Sequence, residues 1–122
     1  MSVPLTQALG PMSDELSQEV VCSSYGSEFL PPQDDEVLGV AVSTLGQTPL
    51  NALRHEPKNG TCGWYVWGGE YSDLRDFFQS LHVHHLVTHA PQLIPFLGLA
   101  PGWRVLLAPG HCDVWRDQSL LS

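Results

Sequence analysis

Basic residues are scarce in this sequence. Five Lys and Arg residues stand against 13 Asp and Glu residues, the formal net charge is −8, and no basic residue precedes Arg54. A field of this sign repels phosphate groups, so it disfavours nucleic acids and anionic membrane surfaces as direct partners. It favours a basic protein partner, because the field raises the rate of encounter. An acidic surface also serves solubility, and the charge alone does not separate these two explanations.

Cysteines are few and widely spaced. Cys22, Cys62 and Cys112 form no Cys-x-x-Cys pair, which argues against a zinc ribbon or a thioredoxin-like site. Their odd number and wide spacing argue against a disulfide scaffold. We therefore expect three reduced, partly buried thiols in a cytoplasmic protein.

Long apolar runs are absent, since no stretch approaches the ~18 residues of a transmembrane helix. The first residues also lack the basic segment and the apolar stretch of a secretory signal, so we expect none. The length of 122 residues fits one domain, and a hydrophobic fraction of 43% indicates a globular fold.

The first third of the chain reads as an appendage to a compact domain. Residues 1–36 predict an N-terminal arm, loose over 1–12, with a short helix capped by Ser13 and a possible edge strand at 19–24. Residues 37–122 predict an α+β domain, with the whole chain forming a single compact unit.

Within that domain, residues 37–44 and 64–67 have the composition of strands. Residues 48–58 contain two prolines and predict a loop, and Asn59-Gly60 predicts a turn. Ser72 is placed to cap a short turn of helix that carries Asp73, Asp76, Phe77 and Phe78.

The clearest helical periodicity lies at residues 82–97. Pro91 and Pro95 interrupt it, which predicts two consecutive helices or one sharp kink. The apolar positions that share one face are Val83, Leu86, Val87, Ala90, Leu93, Ile94 and Leu97.

Residues 103–107 and 112–116 flank a Pro-Gly pair and predict a C-terminal hairpin. The expected fold is α+β, with a mainly antiparallel sheet packed against one or two consecutive helices.

Signatures of catalysis are missing. The chain has no glycine-rich phosphate loop, no His-Glu-x-x-His and no Gly-x-Ser-x-Gly. His111 and Cys112 point to opposite faces of a strand, so the histidine cannot easily activate the thiol. Glu70 with Asp73 or Asp76 could divide acid and base roles, but a solvated face explains these carboxylates equally well. We predict no catalytic residue, no cofactor and no enzyme activity.

One metal-binding alternative stays open. On a helix, His82, His85 and His89 share a face, and the last two have the i, i+4 spacing of metal ligands. These residues fall opposite the apolar positions, where a solvated polar face is expected, so we predict no metal site.

Tryptophan is the most informative residue type, with four in 122 residues. Alternation along a strand places Trp64 and Val66 on one face and Tyr65 and Trp67 on the other, so one pair faces the core. Trp and Tyr are frequent anchors of protein interfaces, and acidic neighbours suit a basic partner. The residues predicted to contact a protein partner are Trp67, Gly68, Glu70, Tyr71, Asp73, Asp76, Trp115 and Asp117.

Several motifs follow one another in a fixed order. They are Gly63-Trp64-Tyr65-Val66-Trp67-Gly68-Gly69, Asp76-Phe77-Phe78, Leu81-His82-Val83-His84-His85-Leu86, Pro101-Gly102-Trp103-Arg104 and Asp113-Val114-Trp115. Over about residues 37–121 this pattern resembles the immunity-protein domain family numbered thirty-three among the immunity proteins of bacterial polymorphic toxins.

The resemblance implies a cytoplasmic antidote that binds and neutralises a cognate toxin delivered by a secretion system. It implies no catalytic residue, and it assigns Trp64 and Trp103 to the fold. A basic toxin such as a nuclease would suit the acidic chain. The alternatives are a small metal- or thiol-dependent enzyme and a protein-binding adaptor unconnected with toxins.

Overall fold

The computed structural model describes residues 14–58 and 60–121. The predicted loose arm at 1–12, the predicted cap at Ser13 and Asn59 of the predicted turn lie outside the described residues. Gly60 of that turn has a φ of +80°.

Two α-helices and six strands make up the described part of the chain. In chain order they are α1 (Asp14–Tyr25), β1 (Val37–Val40), β2 (Leu50–Arg54), β3 (Thr61–Gly68), β4 (Gln79–His82), α2 (Leu86–His89), β5 (Trp103–Ala108) and β6 (His111–Arg116). Short 3₁₀ turns lie at Val42–Thr44, Val83–His85, Pro91–Phe96 and Gln118–Leu121. Among the described helices, none has both the length and the apolar character that crossing a membrane requires.

All six strands form one sheet in the order β4-β1-β3-β2-β5-β6. β1 runs parallel to β3, and every other neighbouring pair is antiparallel. The hairpin of β5 and β6 closes at the pair Ala108 and His111, and Gly110 takes the left-handed φ of +70° that the turn requires. The expected α+β fold with a mainly antiparallel sheet and a C-terminal hairpin is confirmed.

The core lies on one face of the sheet. Trp64 and Val66 on β3 have no exposed surface, and they pack in one buried cluster with Leu86 and Leu93 from the helical segments. Alternation along β3 therefore works as predicted, since Tyr65 between them is only half-buried. Trp103 packs against the same cluster and is also half-buried.

The predicted edge strand at 19–24 is wrong, because these residues belong to α1. Gln18 and Cys22, four residues apart, share the buried side of the helix. The Gln18 Nε2 donates a hydrogen bond of 2.9 Å to the backbone oxygen of Ile94. Packing against Pro91–Phe96 thus overrides the β propensity of Val20 and Val21.

The predicted loop at 48–58 is also wrong, because it contains β2, an internal strand of the sheet. Leu50, Ala52 and Arg54 are buried and alternate with more exposed residues. Pro49 precedes the strand and Pro57 follows it, so neither interrupts its hydrogen bonds to the neighbouring strands.

Two further boundaries differ from expectation. The strand predicted at 37–44 ends at Val40. The short helix predicted after Ser72 is a single turn, closed by a hydrogen bond of 3.1 Å from the Phe77 amide to the backbone oxygen of Leu74. β4, which follows, has only one half-buried residue, Leu81. A short edge strand of this kind leaves almost no hydrophobic pattern to read.

The helical periodicity at 82–97 is confirmed as consecutive helical segments, although they are shorter than predicted. Ala90 breaks them with a φ of −150°, immediately before Pro91. Leu86, Ala90 and Leu93 are buried as expected, but Val87, which was predicted to share their face, is 54% exposed. The mixture of α and 3₁₀ turns changes the rotation per residue, so a single helical face is not maintained.

Arg54, at the end of β2, brings a charge into the core. It is 4% exposed, and its guanidinium donates hydrogen bonds to the backbone oxygens of Leu30 (2.7 Å), Cys62 (3.0 Å) and Leu99 (2.7 Å). The guanidinium carbon also lies 5.7 Å from the ring centroid of Trp64. Burial lowers the pKa of Arg54, because desolvation disfavours the charged form.

Replacing this side chain should be costly. We expect Arg54→Leu to lower the free energy of unfolding by about 3 kcal/mol or more, because the backbone oxygens of Leu30, Cys62, Leu97 and Leu99 lose a charged donor. Urea denaturation measures the change. The matched control is Arg75→Leu at an exposed position, where we expect a change within about 0.5 kcal/mol. Equal effects of the two substitutions would show that Arg54 does not organise the core.

Candidate functional site

The helical segments cover one face of the sheet, and the opposite face carries a cluster of aromatic side chains. Tyr65 and Trp67 project there from β3, next to Phe78, which immediately precedes β4. The ring centroids of Tyr65 and Phe78 lie 5.2 Å apart, and those of Trp67 and Phe78 lie 6.1 Å apart. Both pairs meet edge to face, a favourable arrangement of aromatic rings. We call His55, Tyr65, Trp67, Tyr71, Phe77 and Phe78 the aromatic cluster.

Glycine at position 39 allows the cluster to lie close to the sheet. Gly39 on β1 is the registered partner of Tyr65 on β3. A Cβ atom at Gly39 would stand 2.6 Å from Cδ1 of Tyr65, closer than such atoms approach each other. The ring of Tyr65 therefore occupies the space that a side chain on β1 would fill.

The aromatic cluster borders a hollow of about 810 Å³ that extends from β3 over β2 to β5. The C-terminal turn limits it, and the backbone oxygen of Leu120 lies 3.2 Å from Nδ1 of His55. Besides members of the aromatic cluster, the residues that line it include Leu53, Glu56, Lys58, Arg104, Leu120 and Leu121.

The chain between β3 and β4 forms one rim of the hollow. It is fastened at its start, where the Gly69 amide donates to the backbone oxygen of Pro49 over 2.8 Å. Tyr71 is 59% exposed although its ring lies 5.3 Å from that of Trp67, and Leu74 is 69% exposed. The rim therefore exposes apolar side chains on a segment that is hydrogen-bonded to the residue before β2 and packed on Trp67.

A second group of residues borders the hollow at Arg104. The guanidinium carbon of Arg104 lies 5.4 Å from the ring centroid of Trp115, and its Nη1 lies 3.1 Å from a carboxylate oxygen of Asp117. Hydrogen bonds from Ser119 and Arg104 lower the pKa of Asp117, so this carboxylate stays charged. The structure thus brings Trp115 and Asp117 to the face that carries the aromatic cluster.

The predicted contact residues differ in exposure. Trp67 is only 5% exposed and Gly68 is buried. A Cβ atom at Gly68 would collide with the backbone oxygen of Thr44, which gives this glycine a structural role. The exposed members of the predicted set are Glu70, Tyr71, Asp73, Asp76 and Trp115, with Asp117 half-buried.

Sequence reasoning missed several residues of this face. Tyr65 could have been found, since it alternates with Trp64 on the same side as Trp67. Leu53 and Arg104 could not, because they meet only when β2 pairs with β5, where Leu53 lies opposite Arg104, 51 residues later in the sequence. His55 follows the strand that the sequence did not predict.

Three histidines form a separate group at the end of β4. One ring nitrogen from each of His82, His84 and His85 lies within 4.8 Å of the others. This group differs from the helical triplet considered from sequence, since it contains His84 in place of His89. The difference follows from the fold, because His82 lies on a strand and the helix begins only at Leu86.

Two of the three thiols are buried. Burial raises the pKa values of Cys22 and Cys62, which disfavours the thiolate form that reacts as a nucleophile. Cys112 is exposed, and its neighbour His111 pairs with Asp113 at 2.9 Å. The alternation that separates His111 from Cys112 is thus as expected.

The model of the Imm33-like domain matches residues 17–117, most of the chain. The chain belongs to the Imm33-like domain family. This Imm33-like protein is therefore a member of an immunity-protein family, as its motifs suggested, and the matched region includes most of α1. No curated protein matches the chain, and no solved structure does either.

The burial of the thiols in this Imm33-like protein can be tested directly. We expect a thiol reagent to modify one cysteine, Cys112, in the folded protein and all three after denaturation. Mass spectrometry of the labelled peptides identifies the site. Rapid modification of Cys62 in the folded protein would revive the thiol-enzyme alternative.

Proposed function

We propose that this Imm33-like protein is a cytoplasmic antidote that binds and neutralises a cognate secreted bacterial toxin. It acts by binding alone and has no turnover of its own. The observation that carries the proposal is the aromatic hollow on the uncovered face of the sheet, in a chain that belongs to an immunity-protein family.

The proposed contact surface is the rim between β3 and β4, together with the hollow behind it. Tyr71 supplies a large aromatic surface whose ring is held by Trp67 at 5.3 Å and Phe77 at 5.7 Å. Such an anchor loses little conformational freedom on binding, which favours high affinity. Trp67 itself is buried, so its role is to hold the ring of Tyr71 in position for the toxin.

The charge of the rim suits a basic toxin, such as a nuclease that grips phosphates. Glu70, Asp73 and Asp76 are exposed around Tyr71, against one basic residue, Arg75. A Lys or Arg side chain of the toxin could lie on the ring of Tyr71 while these carboxylates neutralise it. Binding there occludes the active site of the toxin or blocks the access of its substrate.

Co-expression with the toxin encoded by the neighbouring gene tests the proposal. We expect rescue of growth and a one-to-one complex in size-exclusion chromatography. Failure of both would contradict the antidote function, and a stable complex with a partner that is not a toxin would favour the adaptor alternative.

Tyr71 should dominate the affinity for the toxin. We expect Tyr71→Ala to raise the Kd about tenfold or more, as for an aromatic anchor at an interface. Biolayer interferometry measures the Kd. The matched control is Tyr25→Ala, because Tyr25 is also exposed (42%) but lies on α1, on the covered side of the sheet. An equal effect of the two variants would move the contact surface away from the rim.

Salt should change the effect of the rim carboxylates. We expect Asp73→Lys or Asp76→Lys to slow association with the toxin, and to slow it more at low ionic strength than at high ionic strength. The matched control is Asp35→Lys, which makes the same change of charge. Asp35 lies shortly before β1 and outside the rim between β3 and β4. Equal losses at both salt concentrations would argue against electrostatic steering by this rim.

A further inference from the structure

Three exposed imidazoles converge where β4 ends, away from the residues assigned to toxin binding. The ring centroids of His84 and His85 lie 4.1 Å apart, those of His82 and His84 lie 5.4 Å apart, and those of His82 and His85 lie 6.0 Å apart. All three side chains are open to solvent. We call them the histidine cluster.

The backbone beneath the histidine cluster is held in place. His82 pairs with Val37 on β1. The Val83 amide donates to the backbone oxygen of Glu36 over 2.9 Å, and the His84 amide donates to that of Asp34 over 3.2 Å. The cluster therefore does not depend on one flexible loop, because strand pairing and two further hydrogen bonds orient the chain that carries it.

We propose that His82, His84 and His85 bind a divalent transition-metal ion, such as Zn²⁺, through one imidazole nitrogen each. Imidazole is a preferred ligand of zinc, copper and nickel. Tetrahedral zinc at its usual Zn–N distance places two nitrogen ligands roughly 3.4 Å apart. The nitrogens of the cluster lie within 4.8 Å, so small rotations of exposed side chains bring them to the metal.

The neighbouring segment adds negative charge to this site. Asp34, Asp35 and Glu36 precede β1, and the chain there is hydrogen-bonded to the turn that carries His84. Their carboxylates favour the approach of a cation, while the three imidazoles supply the coordinating atoms. Three protein ligands leave a coordination position open for water or for a ligand from another molecule.

The test is a titration of the full-length, untagged protein with Zn²⁺ by isothermal calorimetry. Every sample carries Cys112→Ser, because an exposed thiol binds zinc without help from histidine. We expect one bound equivalent in this background. We expect His84→Ala to weaken binding about tenfold or more, since it removes a direct ligand.

The matched control is His89→Ala, an exposed histidine on α2 that lies outside the histidine cluster. We expect it to leave the affinity unchanged. Zn²⁺ should also raise the melting temperature of the background protein and of the His89 variant, but not that of the His84 variant.

Three results would overturn the proposal. They are the absence of zinc binding, equal weakening by both substitutions, and unchanged binding in His84→Ala. The second would show that the loss of affinity is not specific to the histidine cluster. The third would place the metal elsewhere, for example at His111 and Asp113.

Discussion

A buried positive charge constrains much of this fold. Arg54 has no carboxylate partner at hydrogen-bonding distance among the described residues, and backbone oxygens take that role. Those oxygens come from the segment before β1, from β3 and from the chain before β5. A buried guanidinium is tolerated only when its donors are satisfied, so these three segments must converge on the end of β2.

The two faces of the sheet have different roles. Arg54 and Trp64 lie on the face that the helical segments cover, and Tyr65 and Trp67 lie on the other. Because side chains alternate along a strand, β3 can contribute to the core and to the hollow within a few residues. The same aromatic stretch thus supports the fold and provides the base of the proposed contact surface.

The proposed activities occupy different ends of the structure. The rim around Tyr71 ends where β4 begins, at Gln79. The histidine cluster begins where β4 ends, at His82. The rim offers apolar and acidic groups for a protein surface, while the cluster offers only imidazole nitrogens for a metal. Their chemistry differs enough that each can be altered without changing the other.

Local patterns in the sequence determined the hairpin of β5 and β6, the alternation along β3 and the acidic character of the rim, because neighbouring residues carry these signals. Tertiary structure decided the features that depend on contacts between residues distant in sequence. It made β2 an internal strand although Pro49 and Pro57 predicted a loop there, and it turned the β-prone residues of α1 into a helix by packing them on Pro91–Phe96. It also brought His84 into the histidine cluster, since the ladder between β1 and β4 sets where the helix begins.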